Sequence, residues 1–175
     1  MSTDELIQRI AGHYALPFPL VKAIIQVESG NDFHAWRAEP PYRYLVDVRT
    51  RRPFRKLTAE ETVSETAPPD FPYFLGLSSR DTEWWGQQSS WGSMQIMGAV
   101  AREYGYTGHF PGLCTIKGVE FGCEHLSRLV KRYALGRDLR PAIAAYNAGS
   151  PRYRHENEFV NQYYVDRVIQ AGGLT

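Results

Sequence analysis

Apolar positions recur at helical spacing in six stretches of this chain, and the spacing is lost between residues 31 and 90. Residues 4–14 place Leu6, Ile7, Ile10 and Tyr14 along one face, with Thr3 or Asp4 available as the cap. After Pro17 and Pro19, Leu20 to Glu28 is apolar at Leu20, Val21, Ala23, Ile24, Ile25 and Val27, which predicts a largely buried helix stopped by Gly30-Asn31. Residues 93–104 read as a helix closed by Gly105. Residues 116–134 form a long one, apolar at Ile116, Val119, Phe121, Leu126, Leu129, Val130 and Tyr133. Residues 138–147 form another, with Asp138 near the cap and Pro141 in the first turn, and residues 156–171 the last, closed by Gly172-Gly173.

The intervening stretch holds Pro40, Pro41, Pro53, Pro68, Pro69 and Pro72 and has no long period. Tyr42 to Val48 is rich in β-formers and predicts a short hairpin or edge strand. Residues 58–66 read as a polar helix capped by Thr58, with Glu61 three places on, and residues 67–90 as loop ending in Trp84-Trp85-Gly86. The pattern predicts a mainly α chain of the α+β kind, a helical bundle with a small β or irregular insert at about residues 32–90. A length of 175 residues fits one domain, 1–175.

Composition narrows the function classes. A net charge of +1 gives no field to steer nucleic acid, so no nucleic-acid partner is expected. No run of eighteen apolar residues exists, so no integral membrane segment is expected. The Met-Ser-Thr-Asp-Glu start lacks the basic and apolar regions of a secretory signal, which predicts a protein made soluble in the cytoplasm. Cys114 and Cys123 are too far apart to bridge if both lie on one helix; a bridge is allowed if Cys114 precedes it. Two free, buried thiols are the favoured expectation. The 11 Tyr, 8 Phe and 4 Trp serve a core or a carbohydrate surface equally well. Trp36, Tyr42, Tyr44, Trp84 and Trp85 either stack on sugar rings or form a local mini-core. Arg37 or Arg43 can meet carboxylates, and the basic run from Arg49 to Lys56 is a wall-attracting or merely solvated face.

Chemistry enters at Glu28. A carboxylate at the end of an apolar helix, where Gly30 and Asn31 break it, stands at the edge of a core. Burial there raises its pKa and suits it to general-acid work near neutral pH. Two later segments accompany it: Gly92-Ser93-Met94-Gln95 and Ala145-Tyr146-Asn147-Ala148-Gly149. Glu28-Ser29 followed by these two, in this order, resembles the lytic transglycosylase family, the soluble type within the lysozyme-like superfamily. Tyr164-Val165-Asp166-Arg167-Val168 is similar to that family's closing Tyr-Val-x-x-Val helix. Ser93 stands where the family usually carries Leu. The resemblance covers about residues 18–170 apart from the insert.

The resemblance implies a lysozyme-like fold with a sugar-binding cleft and cleavage of the β-1,4 bond between N-acetylmuramic acid and N-acetylglucosamine. Glu28 would act as acid and then base, leaving a 1,6-anhydro end, with no metal or organic cofactor. It implies Ser29, Gly92, Ser93, Met94, Gln95, Tyr146, Asn147 and Tyr164 as substrate-binding residues, with the Tyr146 hydroxyl near Glu28. Each also has a structural reading: Tyr146 and Met94 as core, Gly92 as a turn, Asn147 to Gly149 as a helix C-cap, Ser29 as a backbone cap. Goose-type lysozymes, similar in fold, add an acid that holds a water. Asp81 and Glu83 lie in the corresponding stretch, with Glu39 and Asp47 in the insert. Any of them would make a muramidase; a solvated loop acid is the other reading. A non-catalytic wall-binding module is the remaining alternative. The expected partner is a peptidoglycan strand met by a monomer. It is reached by lysis-linked release or virion delivery if phage-encoded, or by export as part of a larger secreted protein.

Overall fold

Ser2 starts the first helix, ahead of the expected Thr3 or Asp4. Its hydroxyl accepts the Glu5 N–H at 3.2 Å and the Glu5 carboxylate accepts the Ser2 N–H at 2.8 Å, a reciprocal capping box. The computed structural model describes residues 2–174. In chain order the regular elements are α1 (Thr3–His13), α2 (Phe18–Ser29), β1 (Trp36–Ala38), β2 (Val46–Asp47), β3 (Arg52–Pro53), α3 (Arg80–Gln87), β4 (Ser89–Trp91), β5 (Ile96–Met97), α4 (Gly98–Glu103), α5 (Ile116–Tyr133), α6 (Arg140–Ala148), β6 (Tyr153–His155), β7 (Glu158–Phe159) and α7 (Gln162–Gln170). Glu61–Val63 and Phe110–Leu113 are 3₁₀ turns. Among the described residues, seven helices and three small antiparallel sheets are consistent with an α+β chain. No single helix among the described residues is long and apolar enough to cross a membrane.

The chain divides into two compact units. One combines Met1–Asn31 with Gly122–Thr175; the other is Asp32–Phe121. The second therefore begins where the insert was expected but runs on past Ser90.

In the first unit, α2 packs on α1 and on α7, and α6 packs on α7. The apolar face of α2 explains its place: Leu20, Val21, Ala23, Ile24 and Ile25 are all buried. Each full-size aliphatic buried there contributes about 2 kcal/mol. Ala142 to Ala145 on α6 and Val165 and Val168 on α7 are fully buried as well. Small residues on α6 suit close helix packing. The stretch 156–171 is helical only from Gln162; a β6–β7 hairpin precedes it.

In the second unit, β1, β4 and β5 form a sheet in the order β1-β4-β5, with Trp36 opposite Trp91 and Trp91 opposite Ile96. The expected hairpin is present as β2–β3, with Val46 opposite Pro53. The polar helix at 58–66 shrinks to the 3₁₀ turn at Glu61–Val63. The loop at 67–90 contains α3, capped by the Ser79 hydroxyl, which accepts the Thr82 N–H at 3.1 Å. The helix at 93–104 is confined to α4, because Gly92 and Gln95 both have positive φ (72° and 49°) and turn the chain first. Two small cores hold this unit: Leu45, Leu57, Phe71 and Trp84, and Ile96, Ala101, Phe110 and Leu113.

Candidate active site

Glu28 occupies the last turn of α2, which ends because Gly30 takes the left-handed conformation (φ 65°) and returns its N–H to the Gln26 carbonyl at 3.0 Å. Ser29 Oγ donates to the Ile25 carbonyl at 3.1 Å, so this hydroxyl serves the helix end. Asn31 closes the turn through its amide on the Gln26 side chain. Glu28 itself is half-buried.

The contact that defines the site comes from α7. Tyr164, 8% exposed, donates its hydroxyl to Glu28 Oε1 at 2.5 Å. Burial, and then the charge and hydrogen bond of Glu28, push the Tyr164 phenol well above its ordinary range. It therefore stays protonated and donates across the whole working range of pH. One turn along, Arg167 donates to the Val27 carbonyl at 3.4 Å, a second tie from α7 to the end of α2. The sequence reading placed Tyr164 among substrate-binding residues; the structure places it on the acid.

Tyr146 and Asn147 lie in the last turn of α6, closed by Gly149 at φ 75°. Tyr146 is half-buried, packed on Leu129, Ala142 and Ala145, with its ring 5.5 Å from that of His125. It is also near enough to raise the Tyr164 pKa further. Burial, then the charge of Arg128, hold His125 down at about 4, so it is a neutral ring at working pH. Asn147 is exposed and its Oδ1 accepts from Asn161 Nδ2 at 3.0 Å. Asn161 Nδ2 also reaches the Ala144 carbonyl at 3.0 Å, so the residue opening α7 ties down the end of α6. Asn161 went unnoticed in the sequence, although an Asn ahead of an apolar run is a helix-start signal.

The remaining expected residues belong to the second unit. Gly92 is required by its own turn: a Cβ there would stand 2.2 Å from the Leu113 carbonyl oxygen, and φ is 72°. Ser93 and Met94 are fully buried, so Met94 fits its core reading and neither side chain is exposed to solvent. Gln95 is half-buried and spends its amide on the chain itself. Nε2 donates to the Gly92 carbonyl at 2.8 Å and the Ala35 carbonyl at 3.2 Å, and Oε1 accepts from Ser90 Oγ at 2.8 Å. These bonds pin the turn to the residue before β1.

The two acids weighed as water holders differ. Glu83 is 0% exposed and forms a bidentate pair with Arg102 at 2.8 and 2.9 Å, while Gln87 Nε2 donates to it at 3.1 Å. Arg102 also donates to the Tyr106 and Gly108 carbonyls at 2.7 and 2.9 Å and sits 4.2 Å over the Phe110 ring. Glu83 is therefore a buried, paired charge and not a solvated loop acid. Asp81, in the first turn of α3, is exposed and accepts the Ala67 N–H at 2.8 Å. Of the other acids, Glu39 pairs with Arg37 and Asp47 with Arg49.

The aromatic residues divide. Trp84 is core and Trp85 is half-buried, donating to the Glu65 carbonyl at 2.8 Å. Burial pushes the Tyr42 phenol upward, whereas Tyr44 is exposed. Trp36 is 61% exposed and lies flat on Trp91 at 5.9 Å, which stacks on Phe110 at 5.6 Å. Among the described residues Trp36 is the only tryptophan that is largely exposed. Neither cysteine is in a disulfide; Cys123 is buried, with burial raising its thiol to about 12, and Cys114 is only half-buried. Among the described residues no group of three His, Cys, Asp or Glu side chains is placed to hold a metal ion. No protein-family model, curated protein or solved structure matches this chain.

Proposed function

We propose that this chain is a peptidoglycan lytic transglycosylase with a lysozyme-like fold, and that Glu28 is its acid and base. The observation that carries the reading is the Tyr164 hydroxyl donating to Glu28 Oε1 at 2.5 Å, at the end of a buried helix. It fixes the carboxylate that the order of motifs singles out. Glu28 protonates the leaving glycosidic oxygen as an oxocarbenium-like centre forms. The N-acetyl oxygen of the muramic acid assists from its own ring. The C6 hydroxyl then attacks the same carbon and gives its proton to the Glu28 carboxylate. The enzyme returns to its starting state and the product carries a 1,6-anhydro end, one water lighter than a hydrolytic product. One carboxylate suffices for this sequence. The burial and pairing of Glu83 remove one acid that a water-dependent mechanism would use.

Mass spectrometry of soluble products from purified peptidoglycan tests the proposal. Muropeptides with 1,6-anhydro ends support it, and Glu28→Gln lowers their rate of release by roughly 10²–10⁴-fold. Reducing ends in their place make the protein a muramidase. Retention on the wall without soluble product makes it a binding module. Near-full activity of Glu28→Gln removes Glu28 from the mechanism.

A further inference from the structure

An open groove of about 740 Å³ lies within the second unit, between the β2–β3 hairpin, the segment 69–73 and Arg80 at the start of α3. Its walls are apolar at Pro53, Phe54, Pro69 and Tyr73, and its charges are four arginines and two aspartates. Two arginines are already committed. Arg49 closes on Asp47 at 2.7 and 3.0 Å. Arg55 grips Asp70 at 2.7 Å through two nitrogens and Glu61 at 2.8 Å through two.

Arg52 and Arg80 close on no carboxylate, although the Arg80 charge stands near enough to help lower the Asp70 carboxyl. Neither takes part in an ion pair among the described residues. Arg52 is exposed on β3. Arg80 rests its guanidinium 5.7 Å over the Tyr73 ring, and its Nε is buried without a hydrogen-bond acceptor. A buried N–H of a charged fork, left unpaired at a groove wall, is a donor awaiting an acceptor.

We propose that the groove at Arg52 and Arg80 binds a single carboxylate carried on a short apolar peptide. The charge balance selects a monoanion. Arg49 with Asp47 is neutral, Arg55 with Asp70 and Glu61 is one negative, and Arg52 with Arg80 is two positive, leaving one positive charge. A dianionic phosphate would face Asp47 and Asp70 with only that one charge to hold it. A carboxylate matches the planar guanidinium fork, and methyl-bearing residues match the proline and aromatic walls. Identifying that carboxylate as one from the peptide stems of peptidoglycan rests on the function proposed above; the binding itself does not.

The test uses the full chain carrying Glu28→Gln, titrated with N-acetyl-D-alanyl-D-alanine and followed through the arginine Nε–H resonances. The Arg80 resonance shifts on binding. Affinity falls about tenfold or more for the C-terminal amide of the same peptide and for the added changes Arg80→Met and Arg52→Ala, each of which removes a charge-assisted contact. Arg52 is solvent-exposed, so its variant reports binding even if Arg80→Met fails to fold. Equal binding of the amide, equal or tighter binding of inorganic phosphate, or unchanged binding by Arg52→Ala overturns the proposal. Cleavage of intact wall without peptide binding sinks the groove and spares the transglycosylase reading. Arg52-dependent peptide binding without cleavage of any wall does the reverse. A loss of activity by Arg52→Ala on intact wall, absent on glycan strands stripped of peptide, assigns the carboxylate to the stem.

Discussion

At the scale of single residues, the pair Glu28–Tyr164 separates two jobs that one carboxylate cannot do alone. Glu28 sits on the final turn of a helix, where side chains fray and sample rotamers. Tyr164 comes from a different helix and is almost wholly buried, so its hydroxyl is a fixed point. Because burial and the neighbouring carboxylate raise the phenol far above neutrality, the donor does not switch off within the working pH range. Removing it leaves the carboxylate in place and takes away its buried phenol donor. If the chain is the transglycosylase proposed above, Tyr164→Phe is expected to lower kcat by about 10- to 100-fold, the scale of a misplaced catalytic group, with KM changed much less. Steady-state kinetics on soluble glycan fragments checks the split. A rise in KM with kcat preserved would return Tyr164 to the substrate-binding role first read from the sequence. Folding is not the confounder here, since the phenyl ring that fills the pocket is retained.

At the scale of elements, the Gly92–Gln95 turn does in structure what its sequence suggested it would do in chemistry. The segment reads as a functional loop because, in order with Glu28-Ser29 and Tyr146-Asn147, it resembles a lytic transglycosylase motif. The fold uses the glycine to pass the Leu113 carbonyl and the glutamine to bond Gly92, Ala35 and Ser90. Gly92→Ala must place a Cβ 2.2 Å from a backbone oxygen at φ 72°, so about 2–4 kcal/mol of stability should be lost in urea unfolding. A near-neutral result would mean that the Phe110–Leu113 turn moves aside freely. Helix α3 makes the same point through Glu83. Glu83→Gln leaves Arg102 as a buried, uncompensated charge and should cost about 3–5 kcal/mol. The ratio of anhydro to reducing product ends should stay as in the wild type. A change in that ratio without loss of stability would revive Glu83 as a water holder. Periodicity was enough to find α2 and α5, because long apolar faces leave one solution. It missed α3, whose eight residues include two Trp, a Gly and a buried Glu, since only Arg102, nineteen places on, makes that glutamate acceptable in a core. Tyr164 and Glu28 lie 136 residues apart, and only folding reveals that contact.

At the scale of the whole molecule, two units answer acid differently, because their titratable groups are buried differently. The sequence placed the end of the insert near residue 90, where helical spacing resumes. The boundary falls at Phe121 instead, since the turn at Gly92 and helix α4 pack with α3 and the Phe110 turn. All four tryptophans lie in Asp32–Phe121, so their fluorescence reports that unit alone. His125 belongs to the other. Its pKa is held down from the ordinary 6.5 to about 4, chiefly by burial and then by Arg128. A depressed histidine means that between these values the unfolded chain binds a proton the folded chain refuses. Stability is full above about pH 6.5, falls as the pH drops, and levels off below about 4. The shift corresponds to about 3 kcal/mol at most. In Asp32–Phe121 the depressed groups are carboxylates. Arg55 holds Glu61 at about 2, and Arg49 and Arg55 lower Asp47 and Asp70. Their contribution is intact above about pH 4.5 and is lost only as the pH falls toward 2. Urea midpoints read from the His125 and Tyr146 ring resonances should thus decline from pH 7 to 4, and His125→Gln should flatten that decline. If wild type and His125→Gln decline in parallel over the window, the proton is taken up elsewhere, and His125 is not the group that sets the acid limit of its unit.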